Sequence, residues 1–323
     1  MTQRPWVLGG ELPVQRVLIT GASGFIGAHL AEALADAGVH VVGTSRQVRQ
    51  VRQVGQARQV GSGSGATWLA GDLSDPGFAE ECMNSANPDA VFHLAGTVTG
   101  SRALEQVLPT YHSLLTSTVN LLSAAAGWGD PVVVLVGSLE EPDRGSTIPA
   151  NSPYAAAKEA SRRYAEMFHS LFGTRVVNTR VSMAYGPADP NHARLVPYVI
   201  DCFRRGDLPR LSSGGRKADW IYIDDVVRGL VAAATCAHAV GGTIDVGTGV
   251  TSSVRDVVAL IARTMGVPGD GDWGSLPDRT DERITPADVA ATARRCGWTF
   301  AVDLDEGIRR TVEATVRSGA IGP

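Results

Sequence analysis

Tyr154 and Lys158 stand four residues apart in Asn151-Ser152-Pro153-Tyr154-Ala155-Ala156-Ala157-Lys158. Lysine is rare in this chain: Lys158 and Lys217 are the only two among 323 residues. On a helix, that spacing brings both side chains to one face, one turn apart. An ammonium beside a phenol favours the phenolate, so the pair is expected to draw the tyrosine pKa from about 10 toward neutrality. A phenol tuned in this way gives or takes a proton at neutral pH. The alternative is a surface helix carrying an unrelated Tyr and Lys, and the surrounding elements decide between the two.

A second chemical feature lies near the start. Thr20-Gly21-Ala22-Ser23-Gly24-Phe25-Ile26-Gly27 follows the apolar run Val17-Leu18-Ile19, which reads as a buried strand. It opens a helix over 25–37, with Ile26, Leu30, Ala33, Leu34 and Ala37 on one face and Gly38 as its stop. Glycines at such a turn let the backbone approach a pyrophosphate, and the helix N-terminus presents free N–H groups to it. Gly21, Gly24 and Gly27, with Phe25 and Ile26 between them, are therefore candidate dinucleotide contacts, although the spacing is G-x-x-G-x-x-G rather than G-x-G-x-x-G. The second strand ends Gly43-Thr44-Ser45-Arg46, and no Asp or Glu occurs from there until residue 72. An acid at that strand end would bind the ribose diol of NAD, whereas Ser45 and Arg46 suit a 2′-phosphate. NADP(H) is accordingly expected, with NAD(H) as the alternative.

These features need a scaffold. Strand-like runs at 17–20, 39–43, 67–70, 90–93, 132–137 and 175–181 alternate with helical stretches, notably 103–126 and 153–172. That alternation predicts an α/β fold with a doubly wound parallel sheet. The second half is less regular, with helices expected at 192–205, 223–237, 253–265 and 303–317 and strands at 218–222 and 242–246. No clean linker occurs, so a smaller C-terminal lobe is expected to interleave with the sheet: residues 14–182 and about 216–247 in the dinucleotide domain, 183–215 and about 248–323 in the substrate lobe. Residues 46–65, with repeated Gln-Val-Arg and a Gly-Ser-rich end, read as a flexible basic loop.

Composition narrows the classes. A net charge of −4 speaks against a nucleic-acid surface. Cys82, Cys202, Cys236 and Cys296 form no C-x-x-C, so neither a zinc site nor a disulfide framework is expected, and they read as small buried apolar groups. No apolar stretch approaches the length that spans a bilayer, and the first fifteen residues lack signal-peptide regions, so a cytoplasmic protein is expected.

Together, Tyr-x-x-x-Lys and the glycine turn resemble the extended short-chain dehydrogenase/reductase superfamily, in its branch acting on nucleotide-activated sugars. The resemblance runs over nearly the whole chain. It includes Gly71-Asp72-Leu73, Phe92-His93-Leu94-Ala95-Gly96, Tyr185-Gly186-Pro187, Asp219-Trp220-Ile221-Tyr222-Ile223-Asp224-Asp225-Val226, Asp245-Val246-Gly247 and Pro277-Asp278-Arg279. It implies a Rossmann domain in which Asp72 and Leu73 read the adenine edge and Leu94, Ala95 and Gly96 also line the cofactor. It further implies Tyr154 as general acid/base, Lys158 as the ligand of the nicotinamide ribose, and Ser138 as the hydroxyl bonded to the reacting oxygen. The implied substrate is a nucleoside diphosphate sugar, its diphosphate held by Arg279 with Lys217 nearby. The implied assembly is a homodimer built on helices 103–126 and 153–172.

Departures from the family pattern bear on the reaction. Relatives that dehydrate dTDP-hexoses carry Thr-Asp-Glu where this chain has Ser138-Leu139-Glu140, so the acid at 139 is absent while Glu140 is kept. The string Val-Gly-Ser-x-Glu-Glu is most similar to reductases of 4-keto-6-deoxy sugar nucleotides, and NADP(H) fits a net reduction. The expected activity is reduction of such a 4-keto group. The alternatives are a 4-epimerase, 4,6-dehydratase or decarboxylase with bound NAD, and a non-catalytic dinucleotide-binding protein. Met183 stands where relatives place an Asn near the diphosphate, Ala218 replaces an arginine, and Leu114 occupies a usual Asn position.

Overall fold

The computed structural model describes residues 13–46, 67–142, 146–147, 149–268, 270–279 and 285–319. Most of the basic segment 46–65, with Arg49, Arg52 and Arg58, lies outside the described residues, as do the first twelve.

The apolar runs form the expected parallel strands: β1 (Arg16–Thr20), β2 (His40–Ser45), β3 (Thr67–Ala70), β4 (Ala90–His93), β5 (Val132–Ser138), β6 (Val176–Val181) and, later in the chain, β10 (Thr243–Val246). They make one seven-stranded sheet in the order β10-β6-β5-β4-β1-β2-β3, with every pairing parallel. The order reverses between β1 and β4, and that switch opens the crevice in which an open α/β sheet binds its ligands. Each face of the sheet has its own core. Val17, Ile19, Phe92 and Val134 pack on one side, while Leu18, Val91, Val133 and Leu135 pack on the other. Strands covered on both faces have no need of a polar alternation, hence their uniformly apolar sequences.

The helices covering these faces carry their own start and stop chemistry. In α1 (Phe25–Asp36) the first turn follows the glycine turn with no side-chain cap. α2 (Pro76–Ala86) starts at Asp75, whose carboxylate accepts the Gly77 N–H, and ends in a left-handed Asn87. The stretch expected as one helix over 103–126 is helical from Leu104 to Ala126, but its centre, Tyr111–Thr116, is a π-helical segment between α-helical turns. We call this composite element α3. α4 (Pro153–Phe172) begins with Ser152, whose side chain accepts the Ala155 N–H, followed by Pro153 at the first position, and stops at Gly173 with φ 71°. Proline there forfeits no hydrogen bond, and glycine takes the left-handed cap without strain.

The second half forms smaller units: a three-stranded sheet of β7 (Met183–Tyr185), β9 (Lys217–Tyr222) and β11 (Thr251–Ser253), and a pair of β8 (Arg210–Leu211) and β12 (Asp272–Trp273). Helices α5 (Leu195–Arg205), α6 (Ile223–Thr235), α7 (Val254–Met265), α8 (Val289–Cys296) and α9 (Leu304–Gly319) complete the chain. Within the stretch 216–247, β10 joins the main sheet, whereas β9 pairs with β7 and β11. Asp219 ties this region together by accepting the N–H groups of Thr248, Gly249 and Ala287 at 2.8–3.0 Å. Among the cysteines, Cys82 and Cys202 are buried as expected; Cys236 and Cys296 are part-exposed, because both sit at helix ends.

Candidate active site

The glycine turn closes on the switch point. Gly21 has φ +69°, and a Cβ there would lie 2.8–2.9 Å from the backbone of Leu94 and Ala95, so only glycine lets the first and fourth strand ends meet so closely. Gly24 precedes α1 with its N–H on Gly21 O at 2.9 Å, leaving the uncapped first turn of α1 to face the crevice. Beneath the turn, His93 is 1 % exposed and bridges Thr20 Oγ1 (2.8 Å) and Thr118 Oγ1 (3.1 Å). Burial, with the Lys158 charge adding to it, lowers its pKa to about 3, so the ring is a neutral strut.

Two adjoining cavities share Gly21, Gly24, Phe25, Leu94 and Gly96. One, of about 600 Å³, runs past Ser45, Arg46, Asp72, Leu73 and Ala95. Ser23 Oγ donates to Ser45 Oγ at 3.0 Å, and one Asp72 oxygen accepts the Ser74 N–H at 2.8 Å. A cavity bordered by the glycine turn and the uncapped N-terminus of α1 fits a dinucleotide.

The other cavity, of about 280 Å³, contains the expected chemical groups Ser138, Tyr154 and Lys158, together with Ile26, Gly27, Leu139, Glu140, Met183 and Lys217. Ser138 ends β5 and Tyr154 begins α4, and both line this cavity, where the Ser138 hydroxyl acts to lower the Tyr154 pKa. Ser138 Oγ also accepts the Glu140 N–H at 3.1 Å. Lys158 Nζ donates to Val136 O at 2.6 Å and lies 6.0 Å from the centre of the Tyr154 ring.

The expectation that Lys158 draws the phenol toward neutrality is not met. Burial pushes the Tyr154 pKa up, Glu140 and Glu141 push it the same way, and only the Ser138 hydroxyl and the Arg194 charge oppose them. The ammonium is directed at a carbonyl rather than at the phenol. Leu114 explains part of the burial. It forms an apolar cluster with Tyr154 and Ala157, and Gly96 makes room for its side chain. In the π-helical segment around Leu114, the Leu114 carbonyl accepts the Ser117 N–H and the hydroxyls of Ser117, Thr118 and Ser161. Lys158 is lowered to about 8 by burial, with Glu141 acting the other way.

The remaining predicted ligands are placed differently from one another. Leu139 is buried against the cavity with its N–H on Val181 O, whereas the Glu140 side chain is 44 % exposed and 3.9 Å from Arg216. Arg279 does not line the cavity itself; its guanidinium lies against Gly100, which does. Arg194 was not foreseen as a ligand. It lines the cavity, is held by Asp189 at 3.4 Å, and sits 5.9 Å from the Phe25 ring, with its charge reaching Tyr154. Nothing local distinguishes it in an arginine-rich chain; only the fold brings α5 over the crevice. Glu141 and Arg162 were likewise missed. Among the described residues no group of three His, Cys, Asp or Glu is arranged to hold a metal, and no helix is long and apolar enough to cross a membrane.

A parallel sheet with a glycine turn at its switch point, facing a Ser–Tyr–Lys group, defines a dinucleotide-dependent short-chain dehydrogenase/reductase. Residues 17–247 match the NAD dependent epimerase/dehydratase family, and the chain belongs to it. It is 29 % identical over 316 residues to a UDP-glucose 4-epimerase of Mycolicibacterium smegmatis, covering 92 % of this chain and 97 % of that one. It is 30 % identical over 312 residues to a dTDP-glucose 4,6-dehydratase of Streptomyces griseus, covering 92 % of each. Among solved structures, MoeE5 in complex with UDP-glucuronic acid and NAD superimposes with a TM-score of 0.81 at 27 % identity, over 94 % of this chain and 99 % of that one.

Proposed function

We propose that this protein oxidises C4 of a nucleoside diphosphate hexose and returns the hydride to the same carbon, the chemistry of a 4-epimerase. The observation that carries this reading is that Ser138, Tyr154 and Lys158 line one cavity, which shares the glycine turn with the cavity read as the dinucleotide site. A nicotinamide bound there supplies the hydride acceptor and a positive charge that favours the phenolate of Tyr154. Tyr154 then takes the proton of the C4 hydroxyl, Ser138 donates a hydrogen bond to the same oxygen, and Lys158 binds the ribose. Arg279 and Lys217 hold the diphosphate. Leu139, buried and apolar, offers no acid for elimination across C5 and C6, which favours epimerisation over 4,6-dehydration. The similarity to a UDP-glucose 4-epimerase and to MoeE5 with a UDP-sugar and NAD supports the same choice.

Net reduction of a 4-keto-6-deoxyhexose nucleotide is the second reading. It is favoured by Ser45 and Arg46 at the end of β2, where a 2′-phosphate would select NADP(H). One experiment separates the two. Purified protein is analysed for retained dinucleotide and incubated with UDP-glucose, UDP-glucuronic acid and dTDP-glucose, and separately with NADPH and a 4-keto-6-deoxyhexose nucleotide. Retained NAD and C4-inverted sugar support epimerisation. Stoichiometric NADPH consumption with no inversion supports the reductase, and no turnover in either assay overturns both. We further propose a homodimer through α3 and α4, whose Leu104, Leu108, Tyr111, Tyr164, Leu171 and Phe172 are exposed apolar side chains. Light scattering of a Leu108→Arg variant tests this, a monomer being expected; an unchanged mass would refute that interface.

A further inference from the structure

Glu141 borders neither cavity of the crevice, yet its carboxylate stands directly behind the reaction centre. The residue is 4 % exposed. One oxygen accepts the Ser138 backbone N–H at 2.8 Å, and the other faces Arg162 Nε at 3.3 Å. Gly137 is what permits this, because a side chain there would collide with the carboxylate. Sequence order therefore has a physical purpose in Val136-Gly137-Ser138: the glycine lets Glu141 fold back beneath the strand end that presents Ser138.

Two buried cations converge on Glu141. Lys158 and Arg162 are one turn apart on α4, and with Glu141 and Arg180 of β6 they border one small cavity. Arg180 is bound through Nε and Nη2 to Asp245 at 2.7 and 2.9 Å. Arg162 has a second carboxylate, Glu166, at 3.1 Å. Lys158 donates to the neutral Val136 carbonyl, and Glu141 is the carboxylate whose charge supports its ammonium. Glu140, on the same turn, opens to solvent, and Tyr154 on α4 faces both acids. A desolvated ammonium that lacks a counter-charge loses its proton. Burial holds the Glu141 carboxyl above the ordinary carboxylate range, and the Ser138 N–H, Lys158 and Arg162 oppose that rise.

We propose that Glu141 is a positioning residue for the reaction: it fixes the backbone of Ser138 and is the counter-ion that keeps Lys158 an ammonium. The proposal rests on the reading of Ser138, Tyr154 and Lys158 as the proton-transfer group. Arg162 competes with Lys158 for the same carboxylate, so removing either partner of the Glu141–Arg162 pair moves Lys158 in opposite directions. Mere damage to the fold would not produce opposite signs.

The rarity of lysine makes this directly measurable. The full chain labelled with [ε-¹³C]lysine gives two resonances, Lys158 and the exposed Lys217, which serves as internal control. Glu141→Gln keeps an acceptor for the Ser138 N–H and removes the charge. It is expected to lower the Lys158 titration midpoint by about one pH unit or more. Arg162→Gln is expected to raise it, with Lys217 unmoved in both. The alkaline limb of kcat in Glu141→Gln should shift down with the midpoint while KM changes little. An unchanged Lys158 midpoint in Glu141→Gln, or shifts of the same sign in both variants, overturns the proposal. If Glu141→Gln fails to fold, Arg162→Gln decides alone, an unchanged or lowered midpoint being the contrary result. The midpoints are read without substrate or cofactor, so they stand even if the proposed sugar chemistry fails.

Discussion

The two sides of the crevice are built from different material. The dinucleotide side is made of backbone: Gly21 pressed against Leu94 and Ala95, the uncapped start of α1, and strand ends in parallel register. The sugar side is made of side chains drawn from distant stretches, among them Leu139, Glu140, Met183, Arg194 and Lys217. Backbone geometry leaves few substitutes, so that side is expected to tolerate almost no change. The side-chain wall can be altered one group at a time, which suits it to setting what is bound.

The largest predicted effect lies on the backbone side. Gly21→Val forces a β-branched residue into φ +69° against backbone atoms under 3 Å away, and dinucleotide binding should fall below detection by calorimetry. Retained binding would show that the close approach is dispensable and would dissolve the contrast between the two sides. A smaller effect is expected on the side-chain wall. On the proposed reading Arg279→Ala removes a charge-assisted contact to the diphosphate, and it should raise KM about 10- to 100-fold with kcat little changed. A loss of kcat at unchanged KM would move Arg279 out of the binding role.

The smallest effect sharpens the contrast through pH. His93 has a folded pKa of about 3 against an ordinary 6.5. As pH falls below 6.5, the unfolded chain takes up a proton that the folded chain refuses. Stability is thus lost progressively from pH 6.5 down to about 3, by about 1.4 kcal/mol per pH unit. Urea denaturation of wild type and His93→Gln should differ by that slope in the acid range and not above pH 7. Equal slopes would mean that the imidazole is not held neutral beneath the turn.

Legibility followed the same division. The glycine turn, the alternation of strands and helices, and the Tyr154–Lys158 spacing could be read because each is local and periodic. The three-residue strands β7 and β11 and the two-residue strands β8 and β12 have no period to read, and they exist only through their partners. The π-helical segment around Leu114 left no sequence mark, and neither did the folding back of Glu141 under Gly137. The expected lowering of the Tyr154 pKa failed for a related reason. Spacing placed Lys158 near the phenol, but the apolar wall of Leu114 and the charges of Glu140 and Glu141 arise from tertiary packing. Arg194 reaches the site for the same reason, carried there by the N-terminal end of α5.

The central claim is that Tyr154 moves the proton at C4 while the dinucleotide side works independently of it. The direct measurement is a single-turnover experiment on dinucleotide-loaded wild type and Tyr154→Phe, mixed with the sugar nucleotide that wild type turns over. Reduced nicotinamide absorbance and product are followed together. The expected result is equal dinucleotide content in both proteins, with oxidation and product formation slowed about 10²- to 10⁴-fold in the variant. Turnover by Tyr154→Phe at the wild-type rate would contradict the account.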